Sequence, residues 1–348
     1  MTDTISITYG KEKRSLINRI KRFGLDTNGI IFGGLVRDEI ISTHYRDEFI
    51  NKKLDFCHYW DKDYSEETNG RLIIPNDIDI YFKDTSKIDE FIEKIKLYIT
   101  NFNGKIIIND MNCSSLKSFS YNLNISLNHK KVYIEIKLGR TISFGGIRMS
   151  LEIDIISNVN QTTSLLEPPF YNIDFLSNVF IMEKNNGITN IRLSNCTGTI
   201  LDNMNFVKKS INSTKILDDI INFRTQFVRN ITQNLDSEYI NCYRIIKMID
   251  REYTWNITNV PFSPITIEYD NDDDKCCICL EKFNKKLPLI SINTNSKTKN
   301  ILHRCCFITY LKAEQQKRYR NEHNLIEIRC PYRNAFNFKD CFKNVNYI

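Results

Sequence analysis

Four residues near the C-terminus constrain this chain most. Cys276 and Cys279 form a C-x-x-C pair, and His303 and Cys306 form an H-x-x-C pair after 23 intervening residues. Three thiolates and one imidazole at that spacing can close on a single tetrahedral zinc. Seven of the 11 cysteines lie between Cys276 and Cys341. Such clustering around a histidine reads as metal binding before it reads as disulfides in an intracellular chain. Cys277 and Cys305 fall out of phase with the pairs and are read as neighbours of the ligands. One structural zinc is therefore expected, on Cys276, Cys279, His303 and Cys306.

Charge divides the 348 residues at the same place. Residues 276–348 hold 14 Lys/Arg against 5 Asp/Glu, a net +9, whereas residues 1–275 hold 34 against 37, a net −3. Long-range attraction to polyanions would come from the C-terminal part. With 41% hydrophobic and 26% charged residues, the composition excludes collagen, coiled coil and wholesale disorder. No apolar run reaches a membrane span and the N-terminus lacks a signal peptide's apolar stretch, so an intracellular, cytoplasmic protein without membrane association is expected. Asn-x-Ser/Thr sequons then reflect abundant Asn.

The N-terminal part carries a second constellation. Apolar residues at helical spacing over 15–23 end at Gly24, and 28–32 reads as a buried strand followed by Gly33-Gly34 and a helix over 35–41. Paired glycines between a strand and a helix let the backbone approach a phosphate, while the helix N-terminus offers free N–H groups. Strand 77–82 places Asp77 and Asp79 on one face, since side chains alternate with period two. Glu152 and Asp154 repeat that pattern over 150–156. Three such carboxylates can hold two Mg²⁺ ions, one activating an attacking hydroxyl and the other stabilising the pyrophosphate that leaves a nucleoside triphosphate, the chemistry of phosphoryl transfer. Further strands are expected at 104–109, 119–127 and 131–138, a helix at 86–100, and a hairpin within 175–193 turning on Asn185-Asn186-Gly187. Helical pattern fills 202–253. His44, His58, His129 and His323 are read as surface or loop residues.

These residues resemble a family. Gly33-Gly34-Leu35-Val36-Arg37-Asp38 followed by Asp77-Ile78-Asp79 is similar to the GG-x-x-R-D and D-x-D signature of the class II tRNA nucleotidyltransferase and bacterial poly(A) polymerase group, within the polymerase-β-like nucleotidyltransferases. Asp174-Phe175-Leu176-Ser177-Asn178 resembles that group's R-D-F-x-x-N segment, with Ile173 where the Arg stands. Arg244 to Arg251 resembles its basic neck helix. The gap of 42 residues between Gly34 and Asp77 exceeds the family's usual one. The resemblance implies that Asp77, Asp79 and Asp154 (or Glu152) bind Mg²⁺ catalytically. It also implies that Gly33, Gly34, Arg37 and Asp38 serve the nucleotide, and that an RNA 3′ end accepts it; a protein hydroxyl is equally open chemically.

The string Cys276-Cys277-Ile278-Cys279-Leu280-Glu281 resembles the start of a RING finger, and Cys330-Pro331-Tyr332-Arg333 its ending. Mapped onto that pattern, Cys276, Cys279, His303 and Cys306 fill the first zinc site. The second falls near Thr298, Asn300, Cys330 and Arg333 and keeps one thiolate, so the module is expected to be a degenerate, one-zinc RING. The resemblance implies docking of a ubiquitin-conjugating enzyme on Ile278, Tyr310 (or Leu311) and Pro331. A helix over 307–323 carries Lys312, Lys317, Arg318 and Arg320, read as a soluble basic face or an RNA contact.

The expected fold is α+β: a nucleotidyltransferase-like mixed sheet over 1–200, a helical neck over 201–257, an acidic linker over 258–275 and a RING-like zinc module over 276–348. The expected function is Mg-dependent nucleotide transfer, with an inactive scaffold bearing a RING-type ligase or partner-binding module as the alternative. Scarce Ala and abundant Ile, Asn and Lys suit an A/T-rich genome, and this domain pairing resembles proteins of large cytoplasmic DNA viruses.

Overall fold

In the computed structural model the described residues are 2–52, 75, 77–102, 104–118, 123–138, 147–158, 167–168, 173–195 and 212–228, then 241, 244–245, 247–248, 255–260, 262–264, 266–268, 275–283, 289–293, 299–307, 309–310, 313 and 342–344. The chain divides into two compact units, Met1–Val228 and Arg229–Ile348. Both mix helix with sheet.

The first unit is built on a seven-stranded mixed sheet. Its strands are β1 (Ile30–Phe32), β2 (Asp77–Phe82), β3 (Lys105–Ser118), β4 (Leu123–Leu138), β5 (Ile147–Asn158), β6 (Phe180–Asn185) and β7 (Ile188–Leu193). The spatial order is β3-β4-β5-β2-β1-β6-β7. All neighbours run antiparallel except β2 and β5, which are parallel. Alternation in β2 sorts its side chains. Ile78, Ile80 and Phe82 are buried, whereas Asp77 and Asp79 are half-buried on the other face.

Helices cover the Ile80 face. Ile80 packs so closely on the C-terminal end of α1 (Thr2–Asp26) that a Cβ on Gly29, just past the helix, would stand 2.6 Å from its Cδ1. Phe82 meets Phe91 of α3 (Ser86–Thr100) at 5.3 Å between ring centroids. Residues Ile88, Phe91, Ile92, Ile95 and Ile99 of α3 recur at helical spacing and are all buried. Helix α1 runs past Gly24 to Asp26, and the chain turns at Asn28, with φ of 61°. Helix α2 (Gly34–Lys52) starts directly after β1 and packs on α4 (Ser213–Ile221), where Tyr45 donates to the Ile221 carbonyl at 2.6 Å.

Strands β3 to β5 outrun their expected lengths. The polar run Asn128-His129-Lys130 suggests a break, yet β4 continues through it, because all three pair with β5 and His129 and Lys130 pair with β3 as well. Lys130 meets Asp110 on β3 at 2.7 Å and His129 meets Asp154 on β5. The β6–β7 hairpin turns on Asn186 and Gly187, with φ of 51° and 81°, the left-handed pair that a two-residue turn needs.

Residues expected in the neck join the first unit. Strand β8 (Arg224–Gln226) follows α4, the Val228 N–H donates to the Asp174 carbonyl at 2.9 Å, and Phe227 packs edge-on against Phe175.

In the second unit, β9 (Asn256–Thr258), β10 (Phe262–Pro264) and β11 (Thr266–Ile267) lie within or beside the stretch read as a linker. Strand β10 pairs with β14 (Phe342–Asn344), and β11 adds to the hairpin of β12 (Leu289–Asn293) and β13 (Lys299–His303). Pro264 ends its short strand, a position where a missing N–H is tolerated. Among the described residues, no helix is long and apolar enough to cross a membrane.

Candidate functional sites

The candidate metal centre is built on two turns. After the isolated bridge between Lys275 and Lys282, the chain folds back so that Cys276 N–H donates to the Glu281 carbonyl at 3.0 Å and Leu280 N–H to the Cys276 carbonyl at 2.8 Å. Leu280 takes a φ of 62° to close this knuckle. The second pair sits where β13 ends at His303 and helical residues 304–307 begin. The ligand atoms of Cys276, Cys279, His303 and Cys306 all lie within 4.8 Å of one another. His303 Nδ1 is 3.3 Å from Cys279 Sγ and 4.0 Å from Cys306 Sγ. Donors on a tetrahedral zinc stand roughly 3.5–3.8 Å apart, given Zn–S and Zn–N bonds of about 2.3 and 2.1 Å. The Cys₃His set can hold a metal ion such as zinc.

Electrostatics agree with a divalent ion. Burial opposes the charge on Cys276, but backbone N–H groups of Cys279, His303 and Ile278 donate to its sulfur and hold the thiol below its ordinary value. Burial pushes the Cys306 thiol far up, with Cys279 and the nearby Cys276 adding to the shift. Thiols this crowded do not all ionise without a cation between them. His303 presents Nδ1 to the thiols, while its Nε2 is buried without a partner and its ring lies edge-on to Phe283, at 5.4 Å between centroids. Cys305 is exposed and Cys277 half-buried, both outside the set. Ile278 and Tyr310 are half-buried and Leu280 is 69% exposed. Pro331, Leu311, Thr298, Cys330 and Arg333 lie outside the described residues.

In the first unit the register gathers the acidic residues. On the parallel pair, Asp77 stands opposite Glu152 and Asp79 opposite Asp154. All four therefore share one face of two adjacent strands. Asp79 also stands opposite Phe32, which places it beside Gly33. Gly33 has a φ of 77°, and a Cβ there would lie 2.6 Å from Asp79 Oδ2. The absence of a side chain leaves the carboxylate room.

Two basic residues that the sequence reading missed meet these acids. His129 Nε2 lies 2.5 Å from Asp154 Oδ1, and Lys131 Nζ lies 2.5 Å from Glu152 Oε1 and 3.4 Å from Asp154 Oδ1. His129, read as a partnerless surface residue, is thus corrected: it faces the acid cluster. The signal was its two-residue spacing from Lys131, which puts both on one face of β4 once the strand is not broken there. Burial works against the charge on Asp154, yet hydrogen bonding from His129 and the Lys131 and His129 charges hold its carboxyl below the usual range. On α1, burial lowers the Lys13 pKa, and the nearby Asp77 opposes the shift. Among the described residues, the Cys₃His group is the one gathered within 4.8 Å, so the carboxylates share a face without forming a closed cage.

Arg37 and Asp38 turn inward. They are 2% and 4% exposed, and Arg37 Nε and Nη2 donate to Asp38 Oδ1 at 2.8 and 2.6 Å. Arg37 Nη1 donates to Asn178 Oδ1 at 3.1 Å, joining motifs 141 residues apart. Asn178 ends a short 3-10 turn held by the bond from Ser177 N–H to Thr225 Oγ1 at 3.1 Å. This contact fixes the start of α2, and with it the glycine turn beside Asp79.

A methyl group tests that turn. Gly33→Ala should cost about 1–2 kcal/mol in left-handed strain and push Asp79 aside. Gly34→Ala should leave stability within about 0.5 kcal/mol, because its Cβ would meet only Arg37 Nη2 at 3.5 Å. Urea unfolding of the two variants checks the contrast. Comparison of the chain with protein-family models, curated proteins and solved structures gives no match.

Proposed function

We propose that the first unit is a nucleotidyltransferase core and the second a one-zinc, RING-like interaction module. The observation that supports the first reading is the register of β2 and β5, which sets Asp77 and Asp79 beside Glu152 and Asp154 and next to Gly33. Mg²⁺ is typically bound by one or two carboxylates together with substrate phosphates, and needs no all-protein cage. Asp77 and Asp79 would supply those oxygens. Bound there, the ion would neutralise charge on the triphosphate.

The chain's own residues take the other roles. Gly33 lets the phosphates approach the backbone, and the N–H groups opening α2 offer them donors. An acceptor oxygen forms a bond to the α-phosphorus as the bond to the pyrophosphate oxygen breaks, and pyrophosphate leaves. The hydroxyl proton passes to the paired His129 and Asp154. An RNA 3′ end is the acceptor that the resemblance favours. The Arg37–Asn178 contact supports this reading too, since it joins the two segments that carry the resemblance.

Labelled NTPs with Mg²⁺ and RNA or protein acceptors test this function. Incorporation is expected, and Asp77→Ala/Asp79→Ala should reduce it to background. Lack of incorporation with every acceptor would favour the second reading, an inactive scaffold whose RING-like module recruits a ubiquitin-conjugating enzyme. The specific support for that alternative is Lys131, which already neutralises part of the acidic face. Autoubiquitination abolished by Ile278→Ala would establish it.

A further inference from the structure

A carboxylate oxygen already held by one of the chain's own nitrogen groups is less available to a divalent ion, which needs oxygen ligands. Across β4, β5 and β2 the register forms two rows, Tyr133–Glu152–Asp77 and Lys131–Asp154–Asp79. Lys131 reaches one carboxylate in each row, at 2.5 Å from Glu152 and 3.4 Å from Asp154. Its side chain is 24% exposed. Asp154 Oδ1 also lies 2.5 Å from His129 Nε2, so Glu152 and Asp154 are both already engaged by nitrogen atoms, whereas Asp79 stands beside the open Gly33 turn.

We propose that Lys131 is a resident cation standing in for a second divalent ion, so that the first unit binds one Mg²⁺ with its nucleotide, on Asp77 and Asp79. The inference rests on the nucleotidyltransferase reading and deepens it. A second ion at Glu152 and Asp154 would have to displace an ammonium already bonded to both, or sit against its charge in a half-buried site. Mg²⁺ demands near-octahedral oxygen geometry and dehydrates reluctantly, so it competes poorly for oxygens held by a nitrogen donor. In this placement Lys131 holds Asp154 in line with Asp79 without consuming a metal ion.

Mn²⁺ in place of Mg²⁺ makes the count measurable. The full chain, loaded with zinc so that the sulfur site is filled, is titrated with Mn²⁺ and a non-hydrolysable NTP analogue, and bound Mn²⁺ is counted by electron paramagnetic resonance. The wild type should bind one Mn²⁺ per chain, and Lys131→Met should bind two. Lys131→Gln is a second variant with the same expectation should the first not fold. Two Mn²⁺ in the wild type, or one in both folded variants, would overturn the proposal while leaving the nucleotidyltransferase reading intact. Absence of analogue-dependent Mn²⁺ binding in the wild type would overturn that reading, and this inference with it.

Discussion

Withdrawal of zinc by a strong chelator should release one metal ion per chain and unfold the second unit. The expected loss is large, because structural zinc sites contribute about 10–16 kcal/mol of apparent folding free energy near neutral pH. Among the described residues of the unit, few apolar side chains are buried. Its described core is Cys276 with Phe283, Leu289, Ile290, Ile292, Leu302 and Phe307, alongside a few residues from 241–260. Three of these positions, Phe283, Leu302 and Phe307, lie close in sequence to the knuckles whose approach the metal would fix. Elemental analysis supplies the stoichiometry, and near-UV circular dichroism follows the fold. Cys276→Ser should abolish metal retention, whereas Cys305→Ser, at an exposed position outside the set, should retain it. Two zinc ions per chain would defeat the one-zinc assignment, and metal retained in Cys276→Ser would defeat the ligand assignment.

Arg37→Ala should destabilise the first unit by about 3–5 kcal/mol, the usual effect of removing one partner from a buried ion pair. Asp38 would be left 4% exposed without the guanidinium that binds it through two nitrogens. Asn178 would lose its donor as well. Since domains are stable by only about 5–15 kcal/mol, the variant should unfold at a much lower urea concentration. Arg37→Lys should recover only part of the loss, because an ammonium cannot reproduce a planar fork that serves both Asp38 and Asn178. Equal urea midpoints for Arg37→Ala and the wild type would show that the contact contributes little.

Regular periodicity explains which elements were legible. Strand 77–82 alternates over its first four residues and α3 spaces its isoleucines in turns, so both coincide with the sequence reading to the residue. The hairpin turn was equally readable from Asn186-Gly187. Cysteine and histidine spacing alone located the four ligands that the fold brings together. Polar residues inside strands defeated the reading. Asn128, His129 and Lys130 look like a turn in isolation, and only their partners on β3 and β5 explain them. Proline and acidic residues over 258–275 suggested a linker, while the strands there depend on pairing with segments far along the chain, such as Phe262 with Asn344. Arg37 and Asp38 were legible as a motif, but their burial depends on Asn178, on a distant segment.

Strand β1 has three residues and lies between β2 and β6, with Phe32 opposite both Asp79 and Ile181. The second edge of β1 therefore stays unpaired until β6, which begins only at Phe180, has been synthesised. Pairings this distant are slow to form, because the loops they close must be ordered first. On the ribosome, the glycine turn and its acidic neighbours therefore emerge long before β6 can complete them. Strand β1, buried at all three residues, then presents an open edge in the nascent chain, the kind of unpaired strand that invites misassociation.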